Sequence, residues 1–209
     1  MSYRSSESAA LLEFSRFARE HWRKLLATSA LILVPCFWHR EIVASDLGSH
    51  LYNAWLAQLI RHGQAPGLWL SHQHTNVLFD YLLSGFGSIF GLRAGEKIAV
   101  SIAVLIFFWG IFALVSAATR RAPWMLVPCI ALFTYGWTFH LGFFNYYLSL
   151  GLAFYSLAIF WRGKGWEWSV AAAIALMALV AHPLGFAWLL AAAAYVAIAE
   201  MAARPRYHR

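Results

Sequence analysis

Three long stretches of this chain contain no Asp, Glu, Lys or Arg, and they constrain its fold more than any other feature. They cover residues 98–119, 122–161 and 168–199, which are 22, 40 and 32 residues long. A bilayer core about 30 Å thick is crossed by about 20 apolar residues of helix. Because backbone groups in lipid need internal hydrogen bonds, each stretch predicts membrane-spanning helices.

The lengths of the stretches predict how many spans each one holds. The first fits one span and the second fits two, with a turn at residues 138–142, where polar groups and a glycine interrupt the apolar run. The third contains His182 and Pro183 near its middle, which favours a hairpin of two short helices over one long kinked helix. A shorter apolar run at residues 25–39 adds a first span, whose edge charges lie among the headgroups.

Residues 77–92 leave the number of spans open. The segment is apolar but short, and Asp80 lies near its start, so it either spans or lies re-entrant or interfacial. The fold class predicted is an all-α polytopic membrane protein with six to seven transmembrane helices. The composition agrees, because 61% apolar against 12% charged residues excludes a soluble domain.

Basic residues bracket the predicted spans and give an orientation, since cytoplasmic loops are rich in Lys and Arg. The basic residues form four groups along the chain. Six spans put all four groups in the cytoplasm, whereas a seventh span at residues 77–92 would not. The prediction is a multi-pass protein of the cell membrane, with a cytoplasmic segment 1–24, a transmembrane domain 25–199, an outer loop at about 40–76 and a cytoplasmic tail 200–209. The net charge of +7 is then a positive-inside signature, which excludes a nucleic-acid partner. The basic groups are Arg4, Arg16, Arg19, Arg23 and Lys24; Arg120 and Arg121; Arg162 and Lys164; and Arg204, Arg206 and Arg209.

The outer loop contains an amphipathic juxtamembrane helix. Ser45 or Asp46 is a suitable N-cap and Gly63 a suitable terminator. Apolar residues recur between them at helical spacing, while Asp46, His50 and Asn53 share the opposite face. We expect this helix to lie on the outer membrane surface with its polar edge away from the lipid.

Histidines are dense in this loop, since five of the nine lie between residues 39 and 74. In a functional interpretation Asp46 accepts a proton or binds a cation, and His50, His72 and His74 help to bind phosphate or metal. In a structural interpretation Asp46 caps the helix and the histidines decorate a hydrated loop. Both remain open, and the metal, if any, is unknown because a His-x-His pair lacks further ligands.

Three polar residues lie within or next to the predicted spans: His140, Asn145 and His182. Polar groups at membrane depth are candidates for substrate binding. The structural alternatives are that the two histidines lie at hydrated turns and that Asn145 joins neighbouring helices.

Residues 45–50 with 63–66, residues 142–152 and residues 181–185 form short segments of mixed polar, glycine and aromatic residues. These segments resemble those of the GT-C fold family of integral membrane glycosyltransferases, specifically its N-terminal half. The resemblance implies transfer of a sugar from a polyprenyl-phosphate donor at the outer membrane face. It also implies that Asp46 acts as base or cation ligand, with His50 on the same face, and that a divalent cation is a possible cofactor.

The length of the chain suggests alternatives, because enzymes of that family usually run to twice 209 residues or more. We therefore expect a truncated homologue, a fragment, or a module without catalysis. The alternative function is a noncatalytic membrane subunit or scaffold of a larger complex. One form of this alternative binds pigment or haem through His50, His140 or His182. Its partners would be the lipid bilayer and other membrane subunits, and in the enzymatic case a lipid-linked sugar donor.

Overall fold

The computed structural model describes residues 3–203, with side chains from Ser15 to Ala203. Every regular element in this part of the chain is helical. The predicted cytoplasmic tail after residue 203 and the side chains before Ser15 lie outside the described residues. The helices are α1 (Tyr3–Trp38), α2 (Leu47–Arg61), α3 (Leu78–Phe90), α4 (Leu92–Thr119), α5 (Val127–Thr134), α6 (Trp137–Leu141), α7 (Phe144–Arg162), α8 (Glu167–Ala181) and α9 (Pro183–Ala203), with a 3₁₀ turn at Trp124–Leu126.

The outer-loop helix predicted from the sequence is α2. It buries Leu47 and Ala54, and Gly63 follows it with φ of +69°, a conformation that favours glycine. The expected side-chain cap is absent, however, because the Asp46 carboxylate forms no hydrogen bond with the first turn of α2. That carboxylate is directed toward His50 instead.

Helix α3 is too short to cross a bilayer alone. Its 13 residues span about 20 Å, whereas the hydrocarbon core is about 30 Å thick. It turns into α4 at Gly91, and the two helices touch where Gly95 meets Gly87. A Cβ on Gly95 would lie 2.5 Å from the Gly87 nitrogen, so this approach requires glycine.

The core is formed by α4 and α7, which pack side by side and run in the same direction. Phe107 stacks on Tyr147 with ring centroids 4.2 Å apart. One turn further along both helices, a Cβ on Gly110 would lie 2.5 Å from the Gly151 carbonyl oxygen. Small residues at such a contact allow the two backbones to approach closely.

Helices α8 and α9 form the predicted hairpin and pack against α7. The Ser156 hydroxyl donates to Ala171 O, and the Ser149 hydroxyl donates to Ala178 O, so α8 is antiparallel to α7. The chain is extended at His182, and α9 returns parallel to α7 with Gly185 against Ser149. The break follows from Pro183, which restricts the preceding residue to extended backbone.

The stretch between α4 and α7 contains the predicted turn at Gly142, where φ is +76°. It is interrupted a second time at Tyr135 and Gly136, which separate α5 from the five-residue α6. The Tyr135 hydroxyl at this break donates to Ile32 O of α1. The span therefore contains an additional bend that the sequence pattern did not predict.

Within the described part of the chain, three helical segments are long and apolar enough to cross a membrane: Leu92–Thr119, Trp124–Leu141 and Pro183–Ala203. The helices α3 and α8 are apolar but shorter. These features indicate a helical membrane protein, while the total of six to seven spans stays a prediction.

The two ends of the bundle differ in charge. One end holds Asn145 and His182, and we call it the site end. At the opposite end Trp124 stacks on His21 of α1, at 5.6 Å between ring centroids, and lies under the Lys24 ammonium. The basic residues that follow or end α4 and α7, Arg120, Arg121 and Arg162, lie at this same end because those two helices are parallel.

Candidate functional site

His50 lies between two carboxylates at the site end. Its Nδ1 is 2.6 Å from Asp80 Oδ1, and its Nε2 is 3.7 Å from Asp46 Oδ2. Because a carboxylate only accepts hydrogen bonds, Nδ1 carries the proton that is shared with Asp80. In the neutral ring, Nε2 then presents its lone pair on the side of Asp46.

The environment of the three side chains differs. The His50 side chain is only 12% exposed, and its ring meets Phe79 edge to face at 5.3 Å. Asp80 is 31% and Asp46 41% exposed, so both carboxylates reach solvent. This arrangement holds the imidazole rigidly and leaves the Asp46 carboxylate accessible to a ligand.

Asn145 holds the Asp80 side of the site. It is 2% exposed and lies in the first turn of α7. Its Oδ1 accepts from Phe79 N at 2.8 Å, and its Nδ2 donates to Asp80 Oδ2 at 2.6 Å and to Asn76 O at 2.9 Å. The Asn145 amide therefore accepts a backbone N–H at the start of α3 and also orients the Asp80 carboxylate. Asp80 in turn orients His50.

Backbone contacts place Asp46. Ser45 N donates to His140 O, and Asp46 N donates to Leu141 O, at 2.9 and 3.0 Å. The next residue, Gly142, has positive φ, and a Cβ there would lie 2.6 Å from Asp46 N. The end of α6 thus acts as a support on which the α2 start is fixed, and a side chain at Gly142 would displace it.

Asn76 adds an uncommon backbone conformation. Its φ is +60°, in the left-handed region that Asn tolerates better than most residues. The following residue, Val77, donates its N–H to Val180 O of α8. This turn directs the chain into α3, so that Asp80, one turn later, meets His50.

Two neighbouring cavities share the walls formed by Asp46, His50, Asn76 and Asn145. One cavity, of about 550 Å³, is otherwise lined mainly by aromatic and apolar groups. The other, of about 500 Å³, is lined mainly by polar groups. Both volumes fall in the range of small-molecule sites. The lining residues of the 550 Å³ cavity include Trp137, Phe143, Tyr146 and His182, and those of the 500 Å³ cavity include Ser49, Asn53, Arg61, Gln73 and Ser84.

The structure brings four of the seven residues predicted for the site together: Asp46, His50, Asn145 and His182. They line the same cavity of about 550 Å³.

The other three residues do not face this cavity. The His140 side chain lines a separate apolar groove beside α1, although its carbonyl supports Ser45. His72 and His74 are exposed in the loop before α3, where Ser71 and Gln73 line the polar cavity instead.

His182 has a defined role for one ring nitrogen. Its Nδ1 accepts from Leu184 N at 3.1 Å, and its ring meets Tyr146 edge to face at 5.4 Å. Burial lowers the pKa of His182, because desolvation disfavours the charged imidazolium. The neutral ring therefore keeps Nε2 as the group available to a ligand.

Asp80 and Asn76 were missed as site residues. In the sequence analysis, Asp80 served only as a charge that argues against a membrane span at residues 77–92. A carboxylate one turn into an otherwise apolar segment is itself a signal, since such a group needs a polar partner.

The divalent cation implied by the resemblance to the GT-C family has no preformed binding site in the described part of the chain. Between Ser15 and Ala203, no group of three or more His, Cys, Asp or Glu side chains is arranged to hold a metal ion. Within the site, His50 Nδ1 donates to Asp80 Oδ1, and His50 Nε2 lies 3.7 Å from Asp46 Oδ2.

Comparisons with known proteins found no matching family model, no matching curated protein and no matching solved structure.

Proposed function

We propose that this chain is a GT-C-like membrane glycosyltransferase module that transfers a sugar from a polyprenyl-phosphate donor at the outer membrane face. The observation that carries the proposal is the His50 ring held between Asp80 and Asp46 on the wall shared by two cavities. The segments that resemble the GT-C family supply the class of reaction. The site supplies the acid–base groups that such a reaction needs.

The proposed membrane arrangement is multi-pass with the N-terminus in the cytoplasm. It is supported by the separation of charge, because Lys24, Arg120, Arg121 and Arg162 lie at the end opposite Asp46 and His50. The positive-inside tendency then puts the site end outside. A non-spanning α3 agrees with six crossings, which is the arrangement that leaves the four basic groups bracketing the spans on one side.

In the proposed reaction an acceptor hydroxyl attacks the anomeric carbon of the donor sugar. The new bond joins the acceptor oxygen to that carbon, the bond between the carbon and the phosphate oxygen breaks, and polyprenyl phosphate leaves with the electron pair. The acceptor proton passes to Asp46, and His50 is placed to accept it in turn. Asp80 keeps the ring in the tautomer whose Nε2 can do so.

The two cavities give this reaction room for two substrates. A group bound in the polar cavity meets the exposed Arg61, which can offset phosphate charge. A group bound in the other cavity meets aromatic faces and His182. Both groups would reach the shared wall, where Asp46 and His50 lie.

The geometry does not favour His50 as a haem ligand, since each of its ring nitrogens already faces a carboxylate.

The test is sugar transfer in liposomes that contain the purified chain and a panel of radiolabelled polyprenyl-phosphate sugars. We expect Asp46→Asn and His50→Gln each to lower transfer by about 100-fold or more, the usual contribution of a proton-transfer group. The matched control is His62→Gln. His62 ends the same helix, is exposed, and bonds only the Gln58 carbonyl through Nδ1.

Two results would contradict the proposal. Transfer that survives Asp46→Asn and His50→Gln would remove both residues from the chemistry. Lack of transfer by the wild-type chain with every donor of the panel would favour the noncatalytic subunit.

A further inference from the structure

A further cavity, of about 570 Å³, lies between α2 and the start of α4, and a few charged side chains interrupt its mainly apolar lining. Residues 41–45 with Leu47 form one wall, Tyr52 and Trp55 of α2 another, and Arg93 and Glu96 of α4 the third. His50 and Asp80 do not line it, so it is separate from the candidate site. Its volume suits a small ligand or a lipid headgroup.

Glu96 is the most unusual residue of this cavity, because it is only 4% exposed. Its Oε1 accepts one long hydrogen bond, 3.3 Å from Ile42 N. Among the side chains described between residues 15 and 203, no cationic group lies within 4 Å of this carboxylate. The adjacent Lys97 is occupied, since its ammonium donates to Cys36 O and His39 O at 2.7 and 2.8 Å.

Glu96 is thus a buried carboxylate whose nearest cations, Arg93 and Lys97, attract it only from beyond 4 Å. A cationic ligand in direct contact would offset the cost of burying its charge. The rest of the cavity matches such a ligand. Glu41 contributes a second carboxylate, and Tyr52 and Trp55, whose ring centroids are 5.7 Å apart, add aromatic groups to the same lining. Aromatic rings attract cations. Arg93 adds one positive group to the same lining, suited to phosphate.

We infer that this cavity binds a phosphoethanolamine group. The ammonium lies against Glu96 and Glu41, beside the aromatic rings, and the phosphate meets Arg93. A primary ammonium fits better than choline, because its three N–H groups can donate to carboxylates while a trimethylammonium has no donor. The membrane source of this chemistry is phosphatidylethanolamine, since the cavity lies at the start of the long apolar helix α4.

The test measures ligand binding to the detergent-purified chain by titration with native mass spectrometry. The probes are short-chain phosphatidylethanolamine, phosphatidylcholine with the same chains, and soluble phosphoethanolamine. We expect saturable binding of phosphatidylethanolamine, with phosphatidylcholine about tenfold weaker or more. Binding of phosphoethanolamine as well would mean that the headgroup suffices, whereas binding of the lipid alone would make the bilayer the source, and either supports the inference.

The decisive variant is Glu96→Gln, which keeps an oxygen for Ile42 N–H and removes only the charge. This variant should weaken the binding of phosphatidylethanolamine about 10- to 100-fold. Glu200→Gln is the control, because Glu200 is exposed on α9 and outside the cavity. A melting temperature measured in phosphatidylcholine checks that Glu96→Gln remains folded.

Equal affinity for the two lipids would overturn the inference. So would wild-type binding by Glu96→Gln, or an equal loss in Glu200→Gln. Sugar transfer is not measured in this titration, so its outcome is independent of the glycosyltransferase proposal.

Discussion

Replacing Asn145 by Asp tests the site with an almost isosteric change. The new side chain keeps an oxygen for Phe79 N–H, so the start of α3 retains its partner. It loses the two Nδ2 donations, to Asp80 Oδ2 and to Asn76 O, and puts a second carboxylate against Asp80 at neutral pH. Asn145→Asp therefore isolates the polar support of Asp80 from the anchoring of α3.

The expected loss follows from these contacts. A hydrogen bond to a charged group contributes about 1.5–3 kcal/mol and a neutral one about 1 kcal/mol. Two charges about 4 Å apart interact by about 1 kcal/mol in water and about 4 kcal/mol near a protein surface. Asp80 is 31% exposed, so water offsets part of both effects. We expect Asn145→Asp to lower the free energy of unfolding by about 3–5 kcal/mol at pH 7.

The pH dependence gives the sharper criterion. When one of the two carboxylates binds a proton at low pH, the repulsion disappears and one hydrogen bond can form again. The loss should therefore shrink by about half between pH 7 and pH 4.5, which melting temperatures in detergent at several pH values can measure.

The control for this experiment is Asn53→Asp, since Asn53 is exposed and lines the same polar cavity. It adds the same charge but should cost less than about 1 kcal/mol. A pH-independent loss in Asn145→Asp, or an equal loss in the control, would refute the role assigned to the amide.

Two further predictions concern packing and protonation. Gly151→Ala should destabilise the fold by about 1–3 kcal/mol, because the new Cβ would lie 2.8 Å from the Phe107 Cα. The control is Gly85→Ala, whose new Cβ would have nothing within 4 Å. It should be neutral or stabilising by up to about 1 kcal/mol. Melting temperatures compare the two, and equal effects would contradict the close α4–α7 approach. Because burial lowers the pKa of His182, the unfolded chain binds more protons, so stability falls as pH drops below about 6.5. His182→Gln should flatten that part of the stability curve, and an unchanged slope would exclude His182 as its cause.

Local features of the sequence were sufficient for several elements of the fold. The helix after Asp46, the hairpin break at His182 and the turn at Gly142 were all predicted and are confirmed. Each depends on a residue whose effect is local, such as a proline that restricts its neighbour or a glycine at positive φ. The break at Gly136 was missed, because it lies in the same charge-free stretch only two residues before the turn predicted at residues 138–142.

The candidate site could be predicted only in part. Asp46 and His50 are four residues apart on one helix face, so helical periodicity was enough to pair them. Asp80 lies 30 residues from His50 and Asn145 lies 65 residues from Asp80, and no local pattern joins them.

By itself, the sequence determined that this is a helical membrane protein, because long runs without charge have no other stable environment. Only the tertiary structure decided which polar groups meet, since that depends on the packing of α3, α7 and α8 around the start of α2. There the one buried amide of Asn145 satisfies two backbone groups and a carboxylate, and it thereby connects Asp80 to His50. The absence of the expected cap is a local matter instead, because Asp46 already has helical backbone angles and its carboxylate is directed toward His50, one turn on.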